Sequence, residues 1–138
     1  MAFTPLEEGF EFVPIKTESD IVRSRKVIRT LASKMGFRLT DVTRIVTAAS
    51  ELARNIYKYA DQGQMCYREL QINGKLWLEL VFEDQGPGIE DVEMAMGEGY
   101  SSSGSLGLGL PGTKRLVDEM EIESEAGVGT RITLRKKV

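Results

Sequence analysis

The stretch Ser50-Glu51-Leu52-Ala53-Arg54-Asn55-Ile56-Tyr57-Lys58-Tyr59-Ala60 decides how this chain is read. Its apolar residues continue a series that begins at Val42. Val42, Ile45, Val46, Ala49, Leu52, Ala53 and Ile56 follow a helical period, which predicts an amphipathic helix starting near Thr40-Asp41. On a helical wheel Glu51, Asn55 and Lys58 fall together, roughly opposite or obliquely away from the apolar stripe. Small Ala48 sits among them and leaves room for something to approach. A solvated face with scattered charges fits this pattern, and so does a face that holds a ligand. The helix alone does not separate the two.

Outward from that helix the elements follow from local chemistry. Phe10 to Lys16 reads as an edge strand, where Pro14 is tolerated. Ser19 or Thr17 caps a first helix with Ile21, Ile28, Leu31 and Met35 near one face and Gly36 as its stop. An exposed apolar patch on that helix suits either a dimer or a partner interface. After Gly63 the period changes to two, with Cys66, Leu70 and Ile72 alternating with polar neighbours. Asn73-Gly74 supplies a two-residue hairpin turn, and Leu76, Leu78, Leu80 and Phe82 alternate in the returning strand. Residues 90–106 are rich in Gly and Ser. A helix over Leu108 to Met120 and two strands around a glycine turn at Gly127 to Gly129 close the chain. Helices segregated from strands in this way predict an α+β two-layer sandwich, its sheet mixed but mostly antiparallel with helices on one face. No internal repeat or long linker divides the 138 residues, so residues 1–138 are expected to form one domain.

Composition removes several function classes. Lys plus Arg number 18 against 21 Asp plus Glu, a net charge of -3, so nothing global favours nucleic acid as a partner. No apolar run approaches a membrane span, and the N-terminus lacks the basic and apolar regions of a secretory signal, so the expected location is cytoplasmic. The single cysteine, Cys66, reads as a small strand residue. Histidine is absent, which excludes Ser-His-Asp and Cys-His catalysis, histidine metal sites, a phosphohistidine and the His-Arg-Asp loop of eukaryotic-type protein kinases.

Two further stretches carry chemistry. Asp84-Gln85-Gly86-Pro87-Gly88 follows the apolar strand, and an acid before such a turn can accept a hydrogen bond from a ligand amino group or simply form the turn. Gly107-Leu108-Gly109-Leu110-Pro111-Gly112 leads into a helix. Glycines there expose N–H groups beside the positive end of the helix dipole, a natural phosphate site, though a glycine hinge in a flexible loop has the same composition. The preceding Gly/Ser stretch does not supply the strand of a dinucleotide fingerprint, and no P-loop is present. Any nucleotide site has to be assembled from separated stretches.

In this order the stretches resemble the GHKL ATP-binding fold of gyrase, heat-shock chaperone, histidine kinase and MutL ATPases. Glu51 to Ala60 resembles the asparagine box, Asp84 to Ile89 the first glycine box, Gly107 to Gly112 the second, and Gly127 to Thr130 the closing Gly-Thr motif. The finer wording, from about Asp20 to Thr133, is similar to the RsbT-type switch kinases of bacterial stress signalling, with anti-sigma factor kinases as relatives.

The resemblance implies ATP and Mg as cofactors and a role for each residue. Asn55 would hold Mg²⁺, Glu51 would act as general base toward a serine or threonine hydroxyl, and Lys58 would neutralise phosphate charge. Asp84 would take the adenine amino group, with Gly86 and Gly88 passing beneath the base and Thr130 supporting it. Gly107 and Gly109 would offer N–H groups to phosphate, and residues 90–106 would form the ATP lid. It also implies a STAS-domain protein as substrate and antagonist, and a downstream output protein such as a phosphatase. A sigma factor as direct partner and a non-catalytic nucleotide-dependent adaptor stand as alternatives, and the oligomeric state is left open.

Overall fold

The computed structural model describes residues 3–60, 62–86 and 109–138. The first strand β1 (Glu11–Ile15) is followed by helices α1 (Glu18–Met35) and α2 (Leu39–Tyr59). Then come the hairpin β2 (Gly63–Ile72) and β3 (Lys75–Asp84), the short helix α3 (Gly109–Lys114), and strands β4 (Glu119–Glu125) and β5 (Gly129–Lys137). The five strands form one sheet in the order β1-β2-β3-β5-β4. Each pairing among the described residues is antiparallel, so the mixed component of the expected sheet is not seen there.

Local signals set several boundaries. Thr17 is the cap of α1, and Ser19 lies inside the helix. The Thr17 hydroxyl accepts the Asp20 N–H at 3.2 Å, and the Asp20 carboxylate accepts the N–H groups of Lys16 at 2.8 Å and Thr17 at 3.1 Å. The N-terminal amides left without helical partners are met this way. Gly36 takes φ +99 at the other end, where the Phe37 N–H reaches the Ala32 carbonyl. At the hairpin, Asn73 and Gly74 have φ +52 and +77, as a type I′ turn requires. On α1 the exposed large apolar residue is Val22 alone, with exposed Arg23, Lys26 and Arg29 around it, so the expected apolar patch is a basic face.

The core lies between the helices and one face of the sheet. A single cross-strand row, Val13–Met65–Phe82–Ile132–Ile122, runs under them from edge to edge. In β2 the residues facing the helices are therefore Met65 and Tyr67, and Cys66, Leu70 and Ile72 lie on the outer face. That outer face is ionic. Buried Glu79 accepts from Arg68 at 2.7 Å and from Arg135 at 2.6 Å, while Arg131 pairs with Glu83. Phe10 and Phe3 cover Arg68 and Arg131 at 4.3 and 5.1 Å. These contacts hide charged side chains whose alternation in sequence looks like solvent exposure.

Helix α3 is shorter than Leu108 to Met120. After Lys114 the bonds tighten to Leu116 N–H with Thr113 carbonyl and Val117 N–H with Lys114 carbonyl, and the Asp118 N–H then joins the Arg135 carbonyl. From Glu119 the chain pairs with β5, and Met120 and Ile122 alternate inward between outward glutamates. The period of two wins because the sheet edge supplies partners for the backbone.

The α1 cap is a testable point. Thr17→Ala should cost about 1 kcal/mol in urea denaturation. Hydrogen bonds, first from the Lys16 N–H and then from Arg23, hold the Asp20 carboxyl below its usual 3.8 against the opposing effect of burial. Its contribution is thus present above 3.8 and is lost as pH falls through the lowered value. Asp20→Asn should therefore unfold less steeply with acid than the parent. An unchanged acid limb would overturn the assignment.

Candidate functional site

Three glycines bring the strand ends and α2 together. A Cβ on Gly63 would meet the Glu83 carbonyl at 2.5 Å and Ile56 Cγ2 at 2.6 Å, so the start of β2 lies tight between α2 and β3. A Cβ on Gly86 would meet Ala60 Cβ at 3.0 Å and the Tyr59 carbonyl at 3.1 Å, which sets the turn after β3 against the C-terminal end of α2. Gly129 has φ +151, and a Cβ there would lie 2.1 Å from the Asp84 carbonyl oxygen. Gly63 carries no motif reading in the sequence, whereas Gly129 falls within both the glycine turn and the closing Gly-Thr motif.

The row Ile15–Gly63–Asp84–Thr130–Ser124 continues the helix-facing side of the sheet at this end, and it turns polar from Asp84 onward. The Asp84 carboxylate accepts the Gly86 N–H at 2.8 Å and also the Thr130 N–H. Burial pushes its pKa above the usual 3.8, and those two backbone donors oppose the rise. An ionised carboxylate has about four acceptor positions, so Asp84 keeps capacity for a ligand donor. Thr130 is buried, and its hydroxyl lies 3.0 Å from that of Ser124.

Glu51, Asn55 and Lys58 extend back along α2 from this cluster. Asn55 precedes Ala60 by about 7.5 Å of helix axis and Glu51 by about 13.5 Å, at the standard rise. Glu51 is 2% exposed, with Arg54 Nη1 at 4.0 Å from Oε2. Asn55 is half-buried and Lys58 exposed. Ala48 is fully buried in the core, so it is not the opening expected beside Glu51. The wheel places Glu51 and Ala48 away from the stripe, but the flank of α2 they occupy is covered as well.

Gly109 starts α3 at φ +56, and its carbonyl accepts the buried Thr113 hydroxyl at 2.9 Å. Gly88, Gly107 and the stretch 90–106 lie outside the described residues. The structure thus assembles Asp84, Gly86, Thr130 and the end of α2 into one cluster, with Asn55 and Glu51 farther along the same helix.

Known proteins resemble this chain in sequence and fold. The family model described as histidine kinase-, DNA gyrase B-, and HSP90-like ATPase matches residues 40–138. The serine/threonine-protein kinase RsbT of Bacillus subtilis is 52% identical over 120 residues, 87% of this chain and 90% of that protein. An anti-sigma F factor of Clostridium kluyveri is 32% identical over 118 residues, 82% of each chain. Among solved structures, that of the RsbU and RsbW domains of Rv1364c from Mycobacterium tuberculosis superposes with a TM-score of 0.61 at 18% identity, over 96% of this chain and 32% of that longer one.

The close approach at Gly129 predicts a contrast between two glycines. Gly127 has φ +79 but open space around a Cβ, so Gly127→Ala should carry only the backbone strain of about 1–2 kcal/mol. Gly129→Ala must in addition displace the Asp84 carbonyl. Urea midpoints should fall further for Gly129→Ala than for Gly127→Ala, and equal losses would contradict the packing.

Proposed function

Because the chain belongs to the histidine kinase-, DNA gyrase B-, and HSP90-like ATPase family, and within it to the RsbT-type serine/threonine protein kinases, we propose that it phosphorylates a STAS-domain antagonist in a partner-switching stress pathway. Mg-ATP is the phosphoryl donor in this reading. Once the modified antagonist lets go, the kinase is free to bind a downstream output protein such as a phosphatase. The whole chain works as one domain, in the cytoplasm.

The observation that carries the reading is the order of groups along α2. The acceptor cluster of Asp84 and Thr130 sits at its C-terminal end, Asn55 comes next, and the buried Glu51 lies farthest away. That is the order of base, phosphates and acceptor hydroxyl. Asp84 takes the exocyclic amine of the base, and Gly86 lets the backbone pass close to it. Gly109, at the start of α3, offers its N–H to phosphate. Lys58, exposed near the end of α2, adds positive charge there.

Among the described residues no cluster of three acidic, histidine or cysteine side chains makes a metal cage. A lone amide oxygen such as that of Asn55 suits Mg²⁺, which keeps several waters and shares phosphate oxygens with one or two protein ligands. Held by Asn55, the ion would supply charge neutralisation for the phosphates. Glu51 accepts the proton of the attacking serine or threonine hydroxyl, and its burial keeps that carboxylate away from bulk water.

The relative named as an anti-sigma F factor favours a second reading, in which a sigma factor is the direct partner. Capture from extract separates the two by whether a sigma factor or a STAS protein is retained.

The test is an incubation of the purified protein with Mg-ATP and a STAS-domain protein from the same genome, read by intact mass. The partner should gain one phosphoryl group. Glu51→Gln should bind nucleotide and transfer at least about 100-fold more slowly. An unmodified but stably bound partner would point to an adaptor, and near-parental transfer by Glu51→Gln would remove its role as base. Nucleotide affinity should also weaken in acid. Asp84 must be ionised to accept the amine, and its pKa is raised above 3.8, so the loss should begin at higher pH than an ordinary aspartate gives. Titration calorimetry across the acid range reads this directly.

A further inference from the structure

The outer face of the sheet, opposite the helices, carries a cover that the candidate site does not use. Residues 3–10 turn back at Glu8-Gly9, where Gly9 has φ +96, and run over that face. Phe10 lies over the Arg68 guanidinium at 4.3 Å and Phe3 over that of Arg131 at 5.1 Å. Between them the Glu8 carbonyl accepts from Arg68 Nη1 at 3.2 Å, and the Glu7 carboxylate stands 3.6 Å from the same nitrogen. Arg68 belongs to β2 and Arg131 to β5, so this arm crosses β3 on its way from one to the other. The row Phe12–Cys66–Val81–Thr133–Glu121 lies between the two arginines. Cys66 and Val81 are each 2% exposed, and among the described residues the arm is what covers them.

The arm is held at its ends and lightly between them. Arg68 and Arg131 direct Nε to Glu79 and Glu83 within the sheet and turn their planar faces to the phenyl rings. Thr4, Pro5, Glu7, Glu8 and Gly9 are exposed, and an ion pair as open as that of Glu7 is worth little. Phe12, in the same row as Cys66, is 64% exposed and stands uncovered beside the arm. The contacts of Phe3, Glu7 and Phe10 thus show what this face accepts: aromatic residues around an acidic centre. Phe12 offers such a segment apolar area that the arm leaves open, and aromatic residues are favoured at protein interfaces. We propose that the outer face between Arg68 and Arg131 is a docking surface for a partner-protein segment of that chemistry, and that residues 3–10 are its built-in occupant, displaced when the partner binds. Being tethered, the arm competes at an effective concentration on the order of millimolar. A free segment making only the same contacts is therefore excluded, and a partner prevails through contacts the arm lacks, Phe12 among them. The proposal does not depend on the nucleotide reading.

Cys66 reports on the cover. Burial pushes its thiol up to about 11, which keeps it unreactive while the arm is down. The measurement is the rate at which dithionitrobenzoate labels Cys66 in the full-length protein, at urea concentrations below the unfolding transition. An arm that lifts without unfolding the sheet gives slow parental labelling that is nearly independent of urea. Phe3→Ala/Phe10→Ala should label about tenfold faster, the combined worth of two exposed cation–π contacts. A synthetic peptide of residues 3–10 should restore slow labelling in that variant, and a peptide with lysine in place of both glutamates should not. If the double variant does not fold, Phe3→Ala alone should show a smaller acceleration with the same response to the two peptides. Labelling that climbs with urea as steeply as global unfolding would make the arm a fixed part of the fold and overturn its displacement. Failure of the peptide to protect either variant would overturn the docking surface. Protection that grows with protein concentration, together with a doubled mass in light scattering, would overturn the outside partner in favour of the arm of a second copy.

Discussion

The Asp84 carbonyl oxygen occupies the place that any side chain at position 129 would need. This close approach decides much of the rest. It lets β5 lie beside β3 through to its last residue, where Thr130 faces Asp84. It also puts the Gly129 carbonyl within reach of Ser124, which ties the edge strand to the same point. Gly63 and Gly86 make equivalent approaches from the side of α2. The polar end of the sheet and the end of the helix are thereby held by backbone contacts, which leave the Asp84 and Thr130 side chains available. A site built on strands and a helix in this way is held more rigidly than one built on a loop.

The sheet has two faces with different physics. Toward the helices it is an apolar layer in which Val13, Met65, Phe82, Ile132 and Ile122 pair in one row, and the site is the polar end of that layer. On the outer side Arg68, Glu79 and Arg135 form a ladder, with Phe3 and Phe10 lying over arginines. Burying Glu79 there costs little because two guanidinium groups reach it. A carboxylate left in that place without them would be expensive. The outer-face charges Glu79, Glu83, Arg131 and Arg135 of β3 and β5 are therefore structural, while the polarity of the candidate site is confined to the strand ends.

These two faces explain which parts of the fold are legible in the sequence. Thr17, Gly36 and Asn73-Gly74 declare themselves because capping and turn chemistry act over three or four residues. The stripe of α2 and the alternation of β3 are equally plain. The inward face of β2 is not, since Cys66, Leu70 and Ile72 look like a core series while Met65 and Tyr67 are the residues that pack. Their apolar outer positions make sense only beside Phe10 and the ion-pair ladder, which are distant in sequence. The length of α3 fails for a similar reason. Val117, Met120 and Ile122 fit a helical face and a strand alike until β5 is present to pair with Glu119–Glu125. Of the site, the motif residues Asp84, Gly86, Asn55 and Glu51 are readable. Gly63 and Ser124 are not, because their roles exist only across strands.

Burial of Glu51 bears on what the helix face is for. A solvated face would leave a carboxylate in water, where it costs nothing, yet Glu51 is 2% exposed with Arg54 at 4.0 Å. Removing a carboxylate from water is unfavourable unless partners offset it, and Arg54 is one such partner. Under the kinase reading Glu51 accepts a proton in a place bulk water does not reach freely. A shielded base favours a hydroxyl delivered by a docked protein over a wandering water molecule.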